Sequence, residues 1–203
     1  MKDNFTTFWH WFQHSKFLFE KLEISQDSIN LIDKQITTLG DFAWEIGPGK
    51  NKEYSLTLSP GGDKSLLSLT KSIVSKAPVI DNWEFHYAKP IKEWENYFEV
   101  FFKNEKISID ISKWQYVLFR NKDNAFDIDV RVSDVPVILQ GEAEEMHGIV
   151  EMVVESIIGE EARLEKIDRL EIVKEFDNKS KKGITAIPNL LNHIQKLNSI
   201  KPN

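Results

Sequence analysis

Apolar residues recur along this chain with two different periods, and each change of period marks the edge of an element. Phe5, Phe8, Trp9 and Phe12 fall at i, i+3, i+4 and i+7, which predicts a helix over residues 5–22. Trp11, Leu18 and Leu22 widen its apolar surface. Ser25 is suited to cap a second helix with Ile29, Ile32, Ile36 and Leu39 on one face, and Gly40 to stop it. These are the N-terminal helices, residues 5–39. The period then drops to two. Residues 42–46 read as a strand and residues 47–51 as a hairpin loop. Tyr54, Leu56 and Leu58 alternate with Ser55, Thr57 and Ser59, as in a half-buried strand. Pro60, Gly61 and Gly62 break that strand, and Asp63 caps a helix carrying Leu66, Leu69, Ile73 and Ala77, which Pro78 ends. Trp83, Phe85 and Tyr87 then alternate with Glu84 and His86 until Pro90.

The plan repeats. After a hairpin over residues 97–111, residues 114–119 are apolar on both faces and predict a central strand. Phe126, Ile128, Val130 and Val132 alternate with Asp127, Asp129, Arg131 and Ser133. Met146, Ile149, Val150, Val153 and Ile157 follow at helical spacing up to Gly159, and Leu170 and Ile172 suggest a last strand. Two pseudo-repeat halves result, residues 42–90 and 114–176, each strand, hairpin, strand, helix, strand. The expected fold class is α+β: two fused ferredoxin-like ββαβ halves in one domain of residues 1–203. The halves would form a mainly antiparallel sheet with helices on one face, each returning strand beside the first strand of its hairpin. A polar linker and a C-terminal helix occupy residues 177–200. Pro188 lies near the first turn of that helix, and its stripe of Leu190, Leu191, Ile194 and Leu197 must dock in cis or in trans.

Composition narrows the function classes. The 203 residues contain no cysteine, which excludes disulfides, thiolate catalysis and cysteine-ligated metals within this sequence. The formal charge of -6 argues against nucleic-acid backbone binding, and the basic residues Lys179, Lys181 and Lys182 sit in the linker. No stretch is long and apolar enough for a membrane span, and residues 1–14 lack a signal-peptide pattern, so a cytoplasmic location is expected. No dinucleotide fingerprint, nucleophile elbow or zinc-protease motif occurs, and no cofactor is expected.

Four sets of residues could carry chemistry. His10 and His14 have the i, i+4 spacing of metal ligands but no visible third ligand. Glu144 and His147 have the Glu-x-x-His spacing of carboxylate metal sites, although acidic residues also suit a helix N-terminus. The Gly61-Gly62 turn could cradle phosphate, but Asp63 places negative charge there and the spacing is not that of a P-loop. The outward sheet positions Glu84, His86, Asp127 and Asp129 would form an acid-base or metal set if they converged, and otherwise simply wet the sheet.

The segments WEIGP (44–48), LSPGG (58–62), Ala77-Pro78, WEFH (83–86) with Lys89-Pro90, and DISKWQYVL (110–118) resemble an uncharacterised group of bacterial proteins. The resemblance spans roughly residues 42–133 and implies the domain plan but no activity. The expected function is therefore a non-catalytic binding or interaction protein whose partner is another protein, on the plan of an immunity protein neutralising a basic toxin. The alternative is a hydrolase, metal-assisted in one version, using Glu84, His86, Asp127 and Asp129. Single-strand nucleic-acid binding would require exposed aromatics, which the alternation assigns to the buried face.

Overall fold

The computed structural model describes residues 4–93, 96–121, 123–177 and 180–199. It is an α+β fold with mixed sheets and, among the described residues, six α-helices. The chain divides into two compact units, Met1–Lys89 and Pro90–Asn203.

Unit 1 begins with α1 (Asn4–Ser15) and α2 (Gln26–Thr37). The aromatic stripe of α1 is buried as the spacing requires: Phe8, Trp9 and Phe12 are nearly solvent-free. The helix is shorter than its apolar pattern predicts. A 3-10 turn over Lys16–Leu18 follows it, and Phe19 stacks on Phe12 with ring centroids 5.8 Å apart. Seven residues of continuous helix would separate them by about 10 Å, so the tighter turn is what closes this contact. Leu22, expected on the apolar surface, is fully exposed. The Ser25 hydroxyl caps α2 by accepting from the Ser28 amide. Gly40 does not have the left-handed conformation of a helix stop. Its role is steric, because a Cβ there would lie 2.9 Å from both Leu69 and Phe42.

Strands β1 (Ala43–Pro48) and β2 (Tyr54–Ser59) form the expected hairpin, with Trp44 opposite Leu58 and Ile46 opposite Leu56. Gly61 and Gly62 have positive φ, a conformation that favours glycine, and carry the chain from β2 into a capped turn and α3 (Leu67–Val74). Strand β3 (Trp83–His86) returns parallel to β2. Tyr54, Leu56, Trp83 and Phe85 thus share one face. Trp9 and Phe12 of α1 pack edge-on against Phe85, and the Trp9 indole N–H donates to the Ile73 carbonyl at 2.7 Å, joining α1 to α3.

Unit 2 opens with a separate hairpin, β4 (Tyr97–Phe102) and β5 (Glu105–Asp110). Then come β6 (Gln115–Arg120), β7 (Phe126–Arg131), α4 (Ala143–Ile158), α5 (Glu160–Lys166), β8 (Ile167–Ile172), β9 (Thr185–Ala186) and α6 (Leu190–Ser199). Gly159, at φ 83°, ends α4 as the sequence indicates. The sheet order is β8-β7-β6-β9, with β8 parallel to β7. Strand β6 is central, as its two apolar faces predict. The stripe of α6 docks in its own unit: Leu190 and Ile194 join Trp114, Tyr116, Ile128 and Val150 in one core.

Both units share a hairpin, a helical crossover and a strand returning parallel to the second hairpin strand. Here the fold departs from the ferredoxin-like expectation, which places that strand beside the first. The expected single, mainly antiparallel sheet also gives way to three separate ones among the described strands.

Candidate functional site

The outward face of the first sheet is built by strand register. Ser55 lies opposite Glu84, and Thr57 opposite both His86 and Glu45. Ser55 and Thr57, expected in water, are buried at 9% and 1% exposure. Thr57 is a short side chain flanked by the longer Glu45 and His86, and Ser55 lies between Gly47 and Glu84. The Ser55 hydroxyl turns to the carbonyls of Gly47 and Pro48.

Glu84 and His86 are brought together. His86 Nε2 lies 3.1 Å from Glu84 Oε1. The carboxylate is already engaged, however: its two oxygens accept the backbone N–H groups of Lys50 and Asn51 in the β1–β2 loop. Gly49 makes this approach sterically open, since a Cβ there would stand 2.6 Å from the Lys52 carbonyl and 3.0 Å from the Glu84 carboxyl carbon. Burial pushes the Glu84 pKa up, but the two amides and His86 outweigh it and hold the group below its ordinary value.

Asp127 and Asp129 belong to unit 2 and are brought together through Arg169. Its Nε lies 3.3 Å from Asp127, its Nη2 3.4 Å from Asp129, and its Nη1 bonds Glu171. Asn121 donates to both Asp127 and Asp168 at 3.1 Å. Burial raises the Asp129 pKa; Arg169 opposes this, while Glu171, Asp127 and Asp177 add to it. The hydrogen-bonding carboxylates of Glu171 and Asp127 raise the Arg169 pKa still further, so its charge is fixed. The four candidate residues therefore form two pairs in different units, each engaged in the stitching of its own sheet.

The remaining sequence candidates resolve in the same direction. The His10 and His14 rings lie 4.4 Å apart, and His14 Nδ1–H donates to the His10 carbonyl at 2.7 Å, which commits one ring nitrogen to the helix backbone. His147 approaches Glu151 at 3.9 Å. Among the described residues no three His, Asp or Glu side chains are placed to hold a metal ion. Asp63 accepts from the Ser65 amide at 2.8 Å and so fills the turn a phosphate would need. The basic cluster at 179–182 lies partly outside the described residues. No helix among the described residues is long and apolar enough to cross a membrane.

An apolar groove between β4 and α4 was not expected from the sequence. Val100, Phe101, Phe102, Leu139, Ile149 and Met152 line about 200 Å³, with Glu145 beside them. Phe101 is 78% exposed. The signal was present in the strand, because residues 97–102 are aromatic at both parities. Only one parity, Phe98, Val100 and Phe102, packs on the core, and Tyr97 and Phe101 point outward.

No family model, curated protein or solved structure matches this chain. Function must therefore be read from these surfaces.

Proposed function

We propose that the protein is a non-catalytic binding module whose partner is a protein segment combining a basic residue with an apolar side chain. The observation that carries the reading is the exposed Phe101 on the rim of the β4–α4 groove. An aromatic ring left in water beside an apolar concavity is the kind of feature that anchors protein interfaces. The charge around the groove selects the partner. Glu145 lines the groove, and helix α4 contributes no Lys or Arg beside it, a local charge that favours a cation at the rim. A basic toxin neutralised by an immunity-type protein would satisfy these requirements, and the cytoplasm is the location that suits this reading.

The hydrolase alternative rests on the Glu84–His86 contact, and the structural engagement of that carboxylate weighs against it. Tyr97 and Phe101 would also serve single-strand stacking, but the lysines beside them are occupied: Lys106 pairs with Glu99 and Lys103 with Glu142, each at 2.6 Å.

The test is a photo-crosslinker placed at Phe101 in protein incubated with lysate of the source organism, with Phe101→Asp as the pull-down control. The expected result is a basic protein crosslinked at this position, with crosslinking suppressed when high salt is present before irradiation, and the same protein pulled down by the parent chain but not by Phe101→Asp. Crosslinks to nucleic acid, or equal capture by Phe101→Asp, would overturn the reading.

A further inference from the structure

Strand β4 has a backbone edge that its own hairpin does not use. Lys103 and Asn104 both have positive φ, 50° and 64°, the two-residue turn that makes the flanking Phe102 and Glu105 a hydrogen-bonded pair. Such pairs alternate along an antiparallel ladder, so Val100 and Phe98 bond across to Ile107 and Ile109. The Ile111 amide donates to the Asn96 carbonyl at 2.9 Å, which fixes the same parity at the far end. The intervening residues Tyr97, Glu99 and Phe101 therefore turn their N–H and C=O groups away from β5. Among the described residues no strand lies beyond β4 on that side.

That edge borders the groove. Residues of β4 and α4 line it, and none of β5 does. In the pairs that face inward, Ile107 and Ile109 of β5 are buried, whereas Val100 and Phe98 of β4 are only partly so. Strand β4 is thus the outer one. The opposite wall is opened by Gly148. It sits inside α4, where glycine costs stability relative to alanine. Neither conformation nor packing requires glycine there: its φ is not left-handed, and a Cβ would meet nothing within 4 Å. The missing side chain is what leaves room. The volume of about 200 Å³ is below the roughly 300 Å³ at which small-molecule sites begin and suits a side chain.

We propose, resting on the reading that a protein segment docks in this groove, that the segment binds as an added β-strand on the edge of β4. Its backbone pairs with Tyr97, Glu99 and Phe101, as extended peptides do at open sheet edges. Directly opposed residues share a face of a sheet, so a residue opposite Val100 sends its side chain inward, into the groove over Gly148. A residue opposite Glu99 lies on the outer face, where a lysine or arginine meets the carboxylate. The segment therefore alternates basic and apolar positions. A second copy of this chain is the poorer occupant. A two-fold pairing that uses all three edge residues of each copy sets Glu99 against its own counterpart, and like charges directly opposite are destabilising.

The probe is a random-peptide display library selected on the full chain, followed by synthetic copies of an enriched peptide. The expected consensus alternates basic and apolar residues with period two. Bound peptide should slow hydrogen exchange at the Tyr97, Glu99 and Phe101 amides by about tenfold or more, while those of Phe98, Val100 and Phe102, already bonded to β5, change little. N-methylation of alternate peptide residues should weaken binding roughly tenfold or more in one parity and little in the other. Gly148→Leu should abolish binding, and both Gly148→Leu and Gly148→Ala should keep the melting temperature at or above that of the parent. No enrichment, or enrichment that Phe101→Asp leaves intact, overturns the groove reading and this inference with it. Binding that needs Phe101 but has helical spacing, or that shows no parity in exchange or methylation, overturns the added strand and keeps the groove. Protection of the same three amides that rises with protein concentration alone, with a dimer in sedimentation, makes a second copy the occupant and overturns the partner named here.

Discussion

The two hairpin–helix–strand units carry the same topology and opposite polar chemistry. When Leu56 is superposed in register on Ile128, Ser55 falls on Asp127, Thr57 on Asp129, Glu84 on Arg169 and His86 on Glu171. In unit 1 the middle strand offers short hydroxyls and the returning strand supplies the carboxylate. In unit 2 the middle strand supplies the carboxylates and the returning strand the cation. Both arrangements tie a hairpin loop to its sheet. Glu84 accepts from the Lys50 and Asn51 amides, and the Asn121 side chain donates to Asp127 and to Asp168 of the returning strand. A common structural task thus accounts for the polar residues on both faces before catalysis is invoked.

The largest test of this parallel concerns the independence of the two units. Phe12 is fully buried and touches the rings of Phe19, Trp83 and Phe85. Phe12→Ala should cost about 3–5 kcal/mol in urea unfolding. Hydrogen exchange should show protection lost in residues 4–88 and kept in the unit 2 core. Equal loss in both would mean that the units unfold as one body.

A smaller effect is expected at the loop tie. Glu84→Gln removes a charged acceptor from two amides and should cost about 1–2 kcal/mol at pH 7. The sign with pH follows from the lowered pKa. Above the ordinary Glu value of 4.5 the full contribution is present, and it fades as pH falls from there through the folded-state value. The variant should therefore converge with the parent in acid. A constant gap across pH would remove the carboxylate from the explanation.

The smallest effect is expected in unit 2, with the opposite sign. Asp129 is raised above the ordinary 3.8, so the folded state holds its proton more tightly than the unfolded chain does. Its effect on stability therefore worsens as pH rises from about 3.8 through the raised value. Asp129→Asn removes that penalty, and Arg169 keeps Asp127 and Glu171. Stability at pH 7 should change by no more than about 0.5 kcal/mol. A loss as large as that of Glu84→Gln would show that the two ties are energetically alike after all.

Most elements were legible because their apolar residues obey one period. The α1 stripe, the Ser25 and Asp63 caps, the alternation of β7, and the Gly159 stop all appear in the structure. Pairing was less legible. Period two identifies the face of a strand but not its neighbour, so the returning strands were expected on the wrong side of their hairpins. Helix α5 was missed because its segment EEARLEK buries only Glu160 and Leu164, leaving no apolar stripe to read. Ser55 and Thr57 were expected in solvent because alternation reports polarity, whereas exposure depends on what neighbouring strands place over a position: Glu45 and His86 beside Thr57, and Glu84 with the Gly47 and Pro48 carbonyls beside Ser55. The candidate pairs were visible as outward residues. Their partners, the Lys50 and Asn51 amides and Arg169, are set by register and tertiary approach, which no single strand encodes.

The docking of α6 has a consequence for how the chain is made. Every member of the unit 1 core lies at or before Phe85, so that core can close while later segments are still being synthesised, at about 5–20 residues per second. Unit 2 has no such head start. Its core requires Ile187, Leu190 and Ile194, and β6 gains its second neighbour only when β9 arrives. For several seconds a nascent chain would therefore pair a finished first unit with an open second one, whose uncovered β6 edge and apolar face are what a holdase chaperone recognises.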